Sequence, residues 1–385
     1  MKLWYFTEQQ YHPAWEACQG PIRNTPPNGL IDPDTAADLL DRYYEEFAAI
    51  DELGLNIAVN EHHTTLQCMS TTPFLSVAAI ARTTKRARIL SIGSPLAQRP
   101  DPVRIAEEIA LTDIMSRGRT EVGFIKSVPW EYFNSNANPM RLMDRFWEAN
   151  DLILKALSTR DGPFAWEGRH FQYRNVNVIP RPYQNPHPPI WMAGQSTGSA
   201  RQIAERDYVA VTSMSGSDAG PFFNAYRDQY QTIHGRPAAR DRLAYICYVA
   251  IGNSEAEARA RAQLVHKWVE FLPSQHAGFQ HAAGYAPAQD FARMLRAGKQ
   301  LARFDKESVP SIDELRERDI MFWGTPDQVF QQFEAFYRRV GGFGHLLTQM
   351  GGYATQRDTI ESMTLMANEV LPRLQELSRL ELEAA

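Results

Sequence analysis

Eight short apolar runs, nearly all separated by stretches with apolar residues at helical spacing, constrain this chain more than any other feature. The runs fall at 2–6, 56–59, 88–92, 120–125, 190–193, 208–211, 243–251 and 345–349. Helical spacing fills 34–53, 73–82, 103–115, 139–157, 200–206, 221–234, 255–271 and 359–374, and a further helix runs from Thr325 to Gly341. The boundaries carry their own chemistry. Asp32 can cap the 34–53 helix, Pro33 suits its first turn and Gly54 its stop. Thr325-Pro326-Asp327-Gln328 reads as a capping box. Repeated strand–helix units imply a parallel sheet, and eight of them fit a closed (β/α)8 TIM-type barrel, expected as one domain over 1–385. Two stretches break the rhythm. Residues 164–171 read as a hairpin, and 180–189 is too proline-rich for a helix or central strand. Residues 273–318 lack a strand signal and are expected to form a mobile lid inserted in the barrel.

Charge and cysteine usage exclude several classes. Lys plus Arg number 40 and Asp plus Glu 45, a net charge of 40 − 45 = −5 with no basic stripe, so neither nucleic acid nor an acidic membrane surface is expected as a partner. The cysteines are Cys18, Cys68 and Cys247, far apart, with no Cys-x-x-Cys, which supports neither a disulfide framework nor a zinc site. The N-terminal apolar run is shorter than the ~7–15 residues of a secretory signal, and no run reaches the ~18 of a membrane span. A cytoplasmic protein is expected.

Four segments carry chemistry. Asn60-Glu61-His62-His63 follows a strand, which in a barrel places it on the catalytic face. No third ligand lies nearby, so no metal is expected; each histidine is open to an acid–base role or to a satisfied place in the core. Gly93-Ser94-Pro95 ends another strand, where glycine admits close approach of a flat ligand, and either the Gly93–Ser94 or the Ser94–Pro95 bond is open to being cis. Lys126 ends a third strand and presents a cation. Gly194-Gln195-Ser196-Thr197-Gly198 has three readings: a nucleophile elbow, a phosphate cradle at a helix N-terminus, or a plain helix cap. The first makes Ser196 the nucleophile of a serine hydrolase, with His345 and Asp218 or Asp319 as partners. No P-loop occurs, and Gly342-Phe343-Gly344 is no dinucleotide fingerprint, because Leu347 stands at its third position.

Six segments in this order resemble the bacterial luciferase-like, flavin-dependent monooxygenase family. They are Asn60-Glu61-His62-His63; Pro102-Val103-Arg104-Ile105-Ala106-Glu107-Glu108; Ser116-Arg117-Gly118-Arg119; Glu167-Gly168-Arg169-His170-Phe171; Pro186-His187-Pro188-Pro189-Ile190-Trp191; and Gly324-Thr325-Pro326-Asp327-Gln328-Val329. The resemblance spans nearly the whole chain. It implies a barrel holding FMN at the C-terminal strand ends. His62 would be the catalytic residue beside the flavin, and Gly93 and Ser94 would pack on the isoalloxazine. Lys126, where some members carry arginine, would meet the phosphate together with Ser196 and Ser199. It further implies reduced FMN supplied by a separate NAD(P)H:flavin reductase, reaction with O2 through a C4a-peroxyflavin, oxygenation of a small organic substrate, and a homodimer. An F420-dependent hydride-transfer enzyme on the same barrel is the alternative, and a flavin-binding barrel without turnover a further one. Substrate specificity would lie in loops 7–32, 127–139 and 273–318, with Trp15, Trp130 and Phe133 as candidate walls.

Overall fold

The structure is a computed structural model that describes residues 1–271 and 309–383, together with positions 284, 288, 289 and 292. Its strands are β1 (Lys2–Phe6), β2 (Asn56–Val59), β3 (Ile89–Ser94), β4 (Thr120–Phe124), β5 (Phe164–Glu167), β6 (Gln172–Val176), β7 (Ile190–Ala193), β8 (Val209–Thr212), β9 (Leu243–Ile251), β10 (Met321–Gly324) and β11 (His345–Gln349). The sheet order β11-β1-β2-β3-β4-β7-β8 is closed by β9, which pairs with both β8 and β11. All of these pairings are parallel, so among the described residues eight strands complete the (β/α)8 barrel.

Alternation along the strands builds two cores. One face of each strand points into the barrel, where Trp4, Phe6, Ala58, Leu90, Ile92, Trp191, Val209, Val211, Ala244 and Leu347 form a small closed cluster. The opposite faces, with Leu3, Tyr5, Ile57, Val59, Ile89 and Leu346, join the apolar stripes of the surrounding helices in a much larger cluster. The helices start and stop as their termini dictate. The Asp32 side chain accepts from the Thr35 amide ahead of the helix Pro33–Glu52, and Gly54 takes a positive φ of 73° after it. Thr325 and Gln328 cap reciprocally ahead of Pro326–Arg339.

The N-terminal mouth of the barrel is plugged by paired polar groups. Trp4 Nε1 donates to His345 Nδ1 at 3.0 Å, and His345 Nε2 lies 3.0 Å from the Asp241 carbonyl. Glu121 is held by Arg88 and accepts from Trp191 Nε1 at 2.5 Å. The Trp4 and Trp191 rings meet edge to face at 5.4 Å. Arg119, at the same end, donates to the Ala81, Thr84 and Ala87 carbonyls, a structural role that matches its place before β4.

Several elements differ from the sequence expectation. Strand β10 pairs with the end of β9; its four residues are buried throughout and too few to show a period. The helix expected over 139–157 opens with a 3-10 turn at Pro139–Arg141 before the α-helix Leu142–Ser158, because Asn138 caps the earlier turn. The closing helix spans Gln356–Leu365 and Leu371–Glu383, joined by a π-helical turn at Met366–Val370. The hairpin is present as the antiparallel pair β5–β6. Most of the lid expected at 273–318 lies outside the described residues; its described end holds a capped helix, Ile312–Glu317. Among the described residues no helix is long and apolar enough to cross a membrane.

Candidate active site at the C-terminal mouth of the barrel

The loops after β2, β3, β4 and β7 emerge side by side, because these strands are neighbours in the sheet. They carry all six residues singled out by sequence: His62 after β2, Gly93 and Ser94 at the end of β3, Lys126 after β4, and Ser196 and Ser199 after β7. The barrel therefore gathers them on one arc of the mouth where (β/α)8 enzymes do their chemistry.

His62 has a specific partner. Its Nδ1 lies 2.8 Å from Glu131 Oε1, and the His63 amide donates to the same oxygen at 3.2 Å. Ser127 Oγ donates to the other Glu131 oxygen. Glu131 opens the short helix Glu131–Asn134, and its side chain is fully buried, whereas that of His62 is 19% exposed. Burial alone would lower the imidazole pKa and raise the carboxyl one. The mutual attraction outweighs it, so His62 is raised above its ordinary 6.5 and Glu131 held below its ordinary 4.5. With Nδ1 committed, Nε2 makes no hydrogen bond among the described residues and is the ring atom available to a ligand. The adjacent histidine is separated from this pair: His63 Nε2 lies 2.9 Å from Glu61 Oε1, and Glu61 is also held by Arg99. His62 thus keeps one ring nitrogen uncommitted among the described residues, whereas His63 is tied to the Glu61–Arg99 pair.

Gly93 is required by its surroundings. A Cβ added there would stand 2.4 Å from Ile125 Cγ2 and 3.3 Å from the Gly123 carbonyl. The non-proline cis bond is Ile92–Gly93. Neither bond that the sequence left open, Gly93–Ser94 or Ser94–Pro95, is cis: Pro95 is the local cue for an isomerisable amide, but the cis bond precedes the glycine instead. Ser94 is buried, and its Oγ has no partner among the described residues. Ser196 and Ser199 cap the helix Thr197–Glu205 reciprocally, each side chain accepting from the other's amide at 3.1 Å; Ser196 is exposed and Ser199 half-buried. A Cβ on Gly194 would meet the Phe222 ring at 2.7 Å and Ser199 Oγ at 2.8 Å, whereas one on Gly198 would meet nothing nearer than Ser196 Oγ at 3.8 Å. The result is an open helix N-terminus fringed with hydroxyls, beside the β4 loop that carries Lys126. Among the described residues no cluster of three or more His, Cys, Asp or Glu is placed to hold a metal ion.

The hydrolase arrangement is not assembled. His345 is the first residue of β11, in the plug at the opposite mouth from Ser196. Burial, with Lys2 nearby, brings its pKa down to about 3. Asp218 is tied to Ser215 and Asp319 to Arg339.

Comparison with known proteins agrees with the barrel fold. Residues 25–342 match the family described as luciferase-like monooxygenase. The chain belongs to that family. The oxygenase component of a flavin-dependent trigonelline monooxygenase from Acinetobacter baylyi is 26% identical over 250 residues, covering 63% of this chain and 68% of that one. The oxygenating constituent of 3,6-diketocamphane monooxygenase from Pseudomonas putida, solved with FMN, superposes with a TM-score of 0.71 at 19% identity over 97% and 98% of the two chains. An F420-dependent secondary alcohol dehydrogenase superposes at 0.66 with 14% identity over 96% and 98%. The two structural likenesses establish the fold.

In this luciferase-like monooxygenase, three buried charged or polar residues of the mouth went unnoticed in the sequence. Glu131 is 69 positions from His62, with no local pattern linking them. Glu8 and Arg23 sit in the loop after β1, where a single acid and a single base carry no periodicity. Of the three aromatic candidates, Trp130 lies at the site, its ring 6.4 Å from that of His62. Trp15 is fully buried and donates to the Leu66 carbonyl at 3.0 Å, and Phe133 is 52% exposed.

Proposed function

We propose that this protein is an FMN-dependent monooxygenase that uses O2 to oxygenate a small organic substrate, with reduced FMN supplied by a separate NAD(P)H:flavin reductase. The observation that carries the reading is the His62–Glu131 pair, set at the C-terminal mouth of a luciferase-like barrel with Nε2 uncommitted. The name of the trigonelline relative, an oxygenase component, supports the two-protein arrangement.

The residues present fit FMN. The partnerless Ser94 hydroxyl and the close Gly93 backbone suit the edge and face of a flat ring. The hydroxyl-fringed helix N-terminus and Lys126 suit a phosphate. Bound there in reduced form, FMN would supply the electrons that activate O2. The chain's own part is to bind, orient and keep water out. Ser196 and Ser199 would offer hydroxyls to the phosphate, and Lys126 charge. Glu131 fixes the His62 ring and holds its proton on Nδ1, so that Nε2 can take or deliver a proton at the reacting atoms.

The test is an anaerobic titration with reduced FMN, followed by rapid mixing with aerated buffer. Expected are saturable binding and reoxidation slower than that of free reduced FMN. No binding of reduced FMN, together with binding and anaerobic reduction of F420 by an alcohol, would replace this reading with the hydride-transfer one.

A further inference from the structure

Arg23 is an unusual buried cation. It is 8% exposed, yet its only side-chain hydrogen bond among the described residues runs from Nε to Gln67, and it has no ion pair there. Arg261, 5% exposed, shows what a structural guanidinium of similar burial requires: it pairs with Glu257 at 2.7 Å and Asp358 at 3.3 Å, contacts Glu361, and donates to the Ile251 carbonyl at 2.7 Å. Arg23 has none of this. Among the described residues its Nη1 and Nη2 carry no acceptor, although a buried charge without partners is strongly disfavoured.

Its position is built. The Arg23 backbone bridges to Thr65, and the Leu66 amide donates to the Ile22 carbonyl at 2.9 Å, which fastens the arginine to the loop after β2 that also carries His62. The guanidinium lies 4.9 Å from the ring centre of Trp130 and 5.9 Å from that of Trp268. Among the described residues both indole Nε1 atoms are buried without partners, as are Gln67 Nε2 and Glu8 Oε2. Trp130 spans the space between Arg23 and His62.

We propose that Arg23 recognises the carboxylate of a small monoanionic organic substrate, whose body lies against Trp130 within reach of His62. The proposal rests on the monooxygenase reading of the same mouth. The chemistry selects the class. Nη1 and Nη2 form the fork that a carboxylate matches with two parallel hydrogen bonds, and Gln67 orients that fork through Nε. Glu8 and Glu131 act on the arginine through space, but neither pairs with it among the described residues, so they leave the fork to a ligand. The phosphate cradle after β7 lies on another part of the rim, and Arg23 is free of it.

The experiment titrates the protein, with and without FMN, with benzoate and nicotinate against benzamide and nicotinamide, following tryptophan fluorescence. Binding of a carboxylate about tenfold or more tighter than its amide is expected. Arg23→Met should abolish that preference, and Arg23→Lys should restore part of it. Arg23→Met should leave the melting temperature unchanged or raised, since it removes a cation without a counter-ion. Three outcomes overturn the proposal: equal affinity for acid and amide in the wild type, an Arg23→Lys variant indistinguishable from wild type in that preference, or FMN affinity falling about tenfold or more in Arg23→Lys, which would make the arginine a cofactor group. Failure of the wild type to bind FMN while the acid–amide preference persists would overturn the monooxygenase reading and leave the anion site standing.

Discussion

The two mouths of the barrel each contain a histidine and a buried glutamate, and they treat them in opposite ways. At the N-terminal mouth every hydrogen-bonding atom of His345 is spent, on Trp4 and on the Asp241 carbonyl, and Glu121 is shared between Arg88 and Trp191. Such an imidazole stays neutral, with a pKa of about 3. At the C-terminal mouth, among the described residues, His62 keeps one nitrogen open, and polar atoms without partners gather on Glu8, Glu61, Gln67, Ser94 and Trp130. A closed hydrogen-bond account marks scaffold; an open one around a charged pair marks a place where something else binds.

Four substitutions test this contrast. His62→Ala should lower product formation by about 100-fold or more while FMN affinity stays within about threefold. Oxygen consumption should then appear as H2O2, and unchanged product yield would remove His62 from the chemistry. His345→Leu, at the other mouth, should destabilise by about 2–4 kcal/mol, because it leaves the Trp4 N–H and the Asp241 carbonyl without partners. Urea unfolding measures this, and activity per folded molecule should be retained. Ser196→Ala and Lys126→Ala should each weaken FMN binding by about 1–3 kcal/mol, read by fluorescence titration, and a fluorophosphonate probe should leave Ser196 unlabelled.

Glu131→Gln should move the acid limb of the kcat/KM profile to lower pH, because the carboxylate is what holds the His62 pKa above its ordinary 6.5 against burial. The sign follows from linkage. His62, raised on folding, adds stability that is complete below its unfolded value of 6.5 and is lost as pH rises through the folded one. Glu131, depressed on folding, adds stability present above its unfolded 4.5 and lost as pH falls through the folded value. The pair should stabilise most between these limits, and Glu131→Gln should flatten that part of the urea-stability profile.

What was legible in the sequence follows from range of interaction. Strands and helices recur with local periods, and caps such as Asp32 with Thr35 are settled within four residues, so the barrel could be read off. The ends of its strands could be read as well, which is why His62, Gly93, Ser94, Lys126, Ser196 and Ser199 meet on one rim. The partners that give them chemistry were not readable. Glu131 reaches His62 across 69 positions, and His345 reaches Trp4 across 341. Strand β10 escaped because its side chains are buried on both faces, which removes the alternation that betrays a half-buried strand.

Strand β9 has a consequence for motion. It is nine residues long and serves three neighbours at once: β8 along Leu243–Tyr245, β10 along Tyr248–Ile251, and β11 along Ala244–Tyr248. Sliding it by one residue would break three ladders together and turn each of its side chains to the wrong face. Its amides should therefore be among the last in the molecule to exchange with deuterium, setting the clock against which opening of every other part of the barrel is timed.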